Sequence, residues 1–151
     1  MVKVIRKLTP QPIPDFFYPK RIRWQCIRCA RCCGDVGNRE RRIVMLASEV
    51  AEICEHSGLK KEEFADSQNG NQPYEASMKK SKGRCIFLDD NKCRIYEARP
   101  LVCRFYPVWL SRDDTRYSFD VTHECPGIGQ GRSLRREDFV SLLRTALSRR
   151  G

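Results

Sequence analysis

Cys26-Ile27-Arg28-Cys29-Ala30-Arg31-Cys32-Cys33-Gly34 puts four of the chain's nine cysteines into eight residues. A free thiol packs as a small hydrophobe, but no core needs four of them on one short basic segment. Thiolates two residues apart can instead converge on a metal, because a short loop turns its side chains inward around the ion. The other five, Cys54, Cys85, Cys93, Cys103 and Cys125, are spread downstream. The reading is a protein that holds metal, with most downstream cysteines returning to this loop in space. Gly34 closes the loop, where a missing Cβ permits a turn and a close backbone approach to the metal.

Cys26, Cys29 and Cys32 repeat the gaps of a bacterial ferredoxin ligand run. In that run the fourth cysteine follows after three more residues and precedes a proline. Here the near fourth is the adjacent Cys33, and the cysteine before a proline is the distant Cys125. Neighbouring side chains tend to point apart, so Cys32 and Cys33 suit two centres, or one ligand and one spectator. One partition gives Cys26, Cys29, Cys32 and Cys125 to one centre and Cys33, Cys85, Cys93 and Cys103 to another. The three-then-two gap of radical S-adenosylmethionine enzymes fails, because the position it requires is Val36. The paired CxxC of a zinc ribbon fails too, because seven residues separate Cys85 from Cys93. A soft thiolate set is specified, and its metal stays open between an iron–sulfur cluster, [4Fe–4S] first, and zinc. His123, two residues before Cys125, reads as a zinc ligand or as a hydrogen-bond partner of one. Arg28, Arg31, Arg84, Arg94, Arg99 and Arg104 lie near the cysteines, where they offset thiolate charge and could bind an anionic substrate.

The 151 residues are one domain's worth, and 40% hydrophobic residues allow a lean core. No apolar run approaches the roughly 18 residues of a membrane span, so no membrane partner is expected. Met1 to Lys7 have no apolar signal region behind them, which points to the cytoplasm. In a reducing compartment clustered cysteines are ligands rather than disulfides. The formal charge of +10 fits nucleic acid, an acidic protein partner, an anionic substrate or a plain solvated surface. Lys and Arg are scattered along the whole chain, which favours the surface. Two four-thiolate centres, each about −2 once loaded with zinc or an oxidised [4Fe–4S] core, would leave the chain basic at about +6.

Residues 1–20 read as a Pro-rich arm and 21–151 as the metal-binding domain. Pro10, Pro12, Pro14 and Pro19 forbid helix. Phe16, Phe17 and Tyr18 are expected to pin the arm, though aromatics mixed with cations up to Trp24 also suit a stacking nucleic-acid surface. Ile43 to Leu46 predict a short buried strand. Ser48 is the expected cap of a helix that ends at Gly58, with Cys54 on its inner face as a core residue rather than a ligand. His56 suits the end of that helix better than a metal. Residues 60–67 predict a second short helix, and 69–73 a loop. Lys79, Lys80, Lys82 and Arg84 form a solvated run or a contact patch. Asp89-Asp90-Asn91 predict a tight turn that brings Cys85 and Cys93 together. Glu97 to Pro107 read as a helical turn carrying Cys103, and Tyr117, Phe119 and Val121 alternate like a strand. Gly127, Gly129 and Gly131 form a flexible stretch without the context of a dinucleotide fingerprint. Ser133 is the expected cap of a final helix over 134–149, with an apolar stripe of Phe139, Leu142, Leu143, Ala146 and Leu147.

No serine nucleophile elbow, phosphate loop or His-rich zinc hydrolase motif occurs. The chain resembles the YkgJ-type cysteine-cluster family of zinc- or iron-chelating proteins. The residues that carry the resemblance are Cys26-x-x-Cys29-x-x-Cys32-Cys33, Cys85 and Cys93 with Ile95-Tyr96, Arg99-Pro100-x-x-Cys103-Arg104-x-Tyr106-Pro107, and Cys125-Pro126-Gly127. They run over about residues 24–147. The resemblance implies that Cys26, Cys29, Cys32, Cys33, Cys85, Cys93, Cys103 and Cys125 form the metal-site set, and it leaves Cys54 out. A flagellin lysine N-methylase group is similar in its cysteine cluster, which brings in a protein-modifying reading by analogy. The expected fold is α+β, a small irregular single domain organised around a cysteine-ligated metal centre, with two or three strands and two or three helices. The expected function is metal binding with an unidentified protein partner, as a redox or protein-modification accessory factor. The alternatives are a cluster-dependent modifying enzyme and a nucleic-acid binder with structural zinc.

Overall fold

Apolar runs in this chain are short and broken by turn residues, so its strands are short and its sheets small. The computed structural model describes residues 12–70 and 73–150. In chain order the elements are β1 (Phe16–Phe17), β2 (Arg23–Trp24), β3 (Val44–Met45), α1 (Ala47–Ser57), α2 (Lys61–Phe64), β4 (Ala65–Ser67) and β5 (Ala76–Met78). Four two-residue strands follow, β6 (Lys80–Ser81), β7 (Arg84–Cys85), β8 (Leu88–Asp89) and β9 (Lys92–Cys93). Then come α3 (Leu101–Phe105), β10 (Val108–Arg112), β11 (Tyr117–Val121), β12 (Ile128–Ser133) and α4 (Arg136–Arg150). Turns of 3-10 helix occupy Arg31–Cys33 and Tyr96–Ala98. The sheets are β1-β11-β10, β3-β5-β4 and the pairs β12-β2, β6-β7 and β8-β9. This is the expected α+β class. Strands outnumber the expected two or three because two-residue pairings leave no alternation to read.

Two apolar clusters carry the packing. In the first, α1 lays Val50 and Ile53 on Met45, Phe64, Ala76, Met78, Phe87 and Ile95. In the second, Phe105 and Val108 meet Phe119 of β11 and Phe139, Leu143 and Ala146 of α4. Phe119 and Phe139 stand 5.2 Å apart between ring centres, a favourable aromatic spacing. Glu49 joins the two clusters. Its side chain is 2% exposed. It accepts from the backbone N–H of Leu46 at 2.9 Å and of Leu101 at 2.7 Å, and from Arg149 Nη1 at 3.1 Å. A buried carboxylate is tolerated because every contact it makes is a donor or a cation.

Three boundaries differ from expectation. Ser48 does not cap α1. The cap is Leu46, and Glu49 reaches back to its N–H, while Ser48 Oγ faces the Arg149 carbonyl at 3.4 Å. The helix over 60–67 stops at Phe64, because Ala65–Ser67 pair with β5 in the register Ala65↔Met78 and Ser67↔Ala76. Tertiary pairing overrides a weak local preference there. Ser133 ends β12, and α4 begins at Arg136, where Asp138 accepts the Arg135 N–H at 2.7 Å. The expected arm lies outside the described residues over 1–11, and so do 71 and 72 of the expected loop. Beyond residue 11 the aromatics of the arm do pack. Phe16 pairs in parallel with Tyr117 and sits edge-on to Phe119 at 5.9 Å, and Tyr18 lies 5.1 Å from Phe139. Phe17 stays 55% exposed. Among the described residues, no helix is long and apolar enough to cross a membrane.

Candidate metal centre

The cysteine loop turns on two residues with left-handed backbone, Arg28 at φ 56° and Ala30 at φ 62°. Neither is a glycine, so this conformation is held by its surroundings. The Ala30 carbonyl accepts the Cys33 N–H at 3.1 Å, closing the turn that carries Cys32 and Cys33. Gly34 then runs extended, φ −169°, and bridges Arg84 at the start of β7. A Cβ on Gly34 would come within 2.7 Å of the Gly83 carbonyl oxygen and 3.1 Å of Arg84 Cα. Gly34 makes a close approach to a neighbouring backbone, and it needs no left-handed turn there. Its consequence is that the loop lies against the residue preceding Cys85.

Four more of the expected site cysteines arrive by four routes. Cys85 ends β7. Cys93 ends β9, paired with Leu88 across a two-residue turn whose Asp90 and Asn91 have φ 45° and 61°. That is the turn expected over 89–91, and its twist matches the hairpin. Cys103 lies in α3, its N–H donating to the Pro100 carbonyl at 3.0 Å. Cys125 is held through Gly127, whose carbonyl accepts the Gln25 N–H at 3.2 Å next to Cys26.

Six of the eight expected site cysteines line one cavity of about 280 Å³: Cys26, Cys32, Cys33, Cys85, Cys93 and Cys103. Ile43, Met78 and Ile95 supply apolar wall, and Arg28, Lys92, Tyr96 and Arg99 border it. Cys29 and Cys125 are not part of this lining. Cys32 and Cys33 do not point apart as adjacent side chains were expected to. The 3-10 turn brings both to the cavity, where the two thiols act on each other. The two-centre partition is thus not the grouping seen, since Cys26 and Cys32 stand with the set assigned to the other centre. Cys54 packs half-buried against the first core, as expected, and is away from the cavity. His123 is exposed.

The thiols ring a space rather than a point. Four thiolates on one zinc lie about 2.3 Å from it, so no two sulfurs are more than about 4.6 Å apart. Among the described residues, no three His, Cys, Asp or Glu side chains converge closely enough to hold a single ion. Their electrostatics are those of a crowded, partly dry set. Cys32 is lowered to about 6, mainly by the Cys33 hydrogen bond, with Arg41 and Arg99 helping against burial. Cys33 is raised by the same hydrogen bond and by burial. Burial raises Cys85 and Cys93 and pushes Cys103 up to about 12. Positive charge brought into the cavity would deprotonate such a set together.

Arg41 is the residue that reading the sequence missed. Its Nε donates to the Cys32 carbonyl at 2.9 Å and its Nη2 to the Val102 carbonyl at 3.2 Å, and it lies 5.2 Å over the Tyr106 ring. Its charge acts on Cys32, Cys85 and Cys103. No sequence signal marked it, because Glu40, Arg41 and Arg42 are all charged and only the fold half-buries Arg41 between its exposed neighbours. Of the arginines expected near the thiols, Arg99 acts on Cys32 and Cys93 and Arg28 borders the cavity. Arg31, Arg84 and Arg94 are exposed. Arg104 turns to the Arg99 carbonyl at 3.1 Å.

The family model described as "CxxCxxCC: Putative zinc- or iron-chelating domain" matches residues 25–126. Uncharacterized protein MJ0661 of Methanocaldococcus jannaschii is 34% identical over 92 residues, 60% of this chain and 47% of that protein. Uncharacterized protein MJ0939 of the same organism is 30% identical over 120 residues, 75% of this chain and 40% of that protein. The chain thus spans less than half the length of these curated relatives. No solved structure matches it.

Proposed function

From a chain that belongs to the CxxCxxCC family of zinc- or iron-chelating domains, we propose a metal-binding protein whose thiol-lined cavity takes an iron–sulfur cluster, [4Fe–4S]. The observation that carries the reading is the ring of six cysteines around about 280 Å³. A cluster presents several irons to thiolates spread around it, whereas a zinc ion gathers its sulfurs to one point. Cys32, Cys33, Cys85, Cys93 and Cys103 are the nearest pool of ligands, because each acts electrostatically on others of the set. Arg41 and Arg99 offset the charge of the loaded site, and Ile43, Met78 and Ile95 limit water around it. When bound, such a cluster supplies one-electron redox chemistry.

Cys26, Arg28, Lys92 and Tyr96 line the cavity and are exposed, so one wall reaches the surface. That favours electron exchange with a partner protein, and the cations on the wall favour an acidic one. The test is iron and acid-labile sulfide on anaerobically purified protein, with its visible spectrum. About four irons and four sulfides per chain in a brown protein are expected. A colourless protein with zinc and no sulfide would overturn the cluster and leave a structural metal that contributes folding energy.

A further inference from the structure

Arg41, whose Nε holds the Cys32 carbonyl, also lines a second cavity of about 400 Å³. No cysteine lines it, so it is a cavity separate from the thiol-lined one, with Arg41 between the two. Its volume is in the range of small-molecule sites, and its walls are mainly apolar, among them Leu101, Phe105, Pro107 and the half-exposed Trp109. Arg39, Arg41, Tyr74, Tyr106, Thr122 and Glu124 supply the polar groups.

Three observations describe what those polar groups lack. The Tyr106 hydroxyl is shielded from solvent and has no hydrogen-bond partner among the described residues. A buried hydroxyl is normally paired, so Tyr106 keeps an unused donor at the side of the cavity that its residue helps to line. Arg41 spends Nε and Nη2 on carbonyls, and its Nη1 makes no hydrogen bond among the described residues. Among the described residues, Arg39 is paired only with Glu124, at 2.9 Å, and the Glu124 side chain is 55% exposed. An exposed pair of this kind is weak and exchanges readily. Two guanidiniums against one carboxylate leave a net positive charge beside the unpaired phenol. A carboxylate meets all three needs, because it accepts from several donors and pairs with guanidinium in bidentate fashion. Flat apolar walls with an indole at the edge suit an aromatic ring.

We propose that this cavity binds a small aromatic carboxylate, with its head group among Arg39, Arg41 and Tyr106 and its ring against Phe105, Pro107 and Trp109. The experiment titrates the purified full chain with 3-phenylpropionate, 3-phenylpropanamide and 3-phenylpropylamine, three head groups on one body. Calorimetry reads affinity and tryptophan fluorescence reads place. The carboxylate is expected to bind at least about tenfold more tightly than the amide, and the amine more weakly still. Arg39→Gln should weaken the carboxylate at least about fivefold and leave the amide unchanged. Trp109→Phe should weaken the carboxylate and remove the fluorescence response. Tyr106→Phe, a near-isosteric change, should also weaken the carboxylate, and it decides the matter if Arg39→Gln does not fold. Equal affinity for the three heads, no saturation up to about 20 mM, or a carboxylate affinity indifferent to these variants would overturn the proposal.

Discussion

Cys103 and Cys54 have the same chemistry and opposite expected consequences. Cys103 lines the thiol cavity, and Cys54 packs on the outside of the first core. Cys103→Ser is expected to lower bound metal to less than about a quarter of the parent protein's, since a hydroxyl is a poor substitute for a soft thiolate. Cys54→Ser should leave metal content unchanged, and elemental analysis of the two variants side by side checks this. Gly127 matters for a different reason. A Cβ there would fall onto the Gln25 carbonyl oxygen and within 3.1 Å of Trp24 Nε1. Both neighbours belong to the strand and turn that lead into Cys26, and a backbone oxygen cannot swing aside as a flexible side chain does. Gly127→Ala should cost about 2–3 kcal/mol by forced overpacking. Gly37→Ala is the comparison, because Gly37 has φ +57° with nothing within 4 Å of a new Cβ. Only the left-handed backbone is strained there, for about 1 kcal/mol. Urea unfolding of the two variants separates the effects, and equal losses would show that contact with Gln25 is not what Gly127 serves.

Among the elements, the β8–β9 hairpin is the plainest link between local sequence and site. Its two turn residues must hold positive φ for Cys93 to sit opposite Leu88. Asn tolerates that backbone and a β-branched residue does not. Asn91→Val should cost about 1–2 kcal/mol and lower metal occupancy, whereas Asn91→Gly should preserve both. Chemical denaturation and metal analysis of the pair decide it, and full occupancy in Asn91→Val would detach the hairpin from the site. Glu49 tests how helices are joined. Glu49→Leu orphans two backbone N–H groups and leaves the 16%-exposed Arg149 guanidinium with only the Arg99 carbonyl and a 3.8 Å pairing to Glu52 among the described residues, and should cost about 3–5 kcal/mol. Glu49→Gln keeps one carbonyl acceptor and the shape, so about 1–3 kcal/mol is expected, measured by the same denaturation. The hairpin was legible because Asp-Asp-Asn is a local signal, and the end of α1 was legible because Gly58 takes φ +74° as a C-cap. The start of α1 was not, because Ser48 offers a good cap that the structure declines in favour of Glu49. Nor was the end of α2, since the partner that draws Ala65–Ser67 into a strand lies eleven residues past Ala65 at the nearest.

For the whole molecule, the question is where metal free energy is spent. Four of the cavity cysteines, Cys33, Cys85, Cys93 and Cys103, pack against the first cluster, and none against the second. That asymmetry could not be read from spacing. The eight-cysteine order led to an expected set of eight, of which six line the cavity, and which thiols meet depends on Gly34 bridging Arg84 and on a 3-10 turn that swings Cys32 and Cys33 the same way. Nor does order along the chain reveal Arg41, which faces the thiols only because the segment before β3 is extended. The first cluster rests on two- and three-residue strands, whose few hydrogen bonds open easily on their own. The second has the five-residue register of β10 with β11 and the fifteen-residue α4. A metal that binds only the native arrangement stabilises what its ligands hold. Removing it with a chelator should therefore speed amide exchange in the first cluster most. The reporters are the Met78 N–H to the Ile43 carbonyl at 2.8 Å and the Arg94 N–H to the Phe87 carbonyl at 2.9 Å. An increase of about 100-fold is expected there, equivalent to about 2.7 kcal/mol. Amides of Phe119 and Leu143 should change by less than about tenfold, because their cluster keeps its own packing. Equal acceleration in both clusters would mean that Glu49 and Arg149 couple them into one cooperative unit, and that the metal stabilises the molecule as a whole.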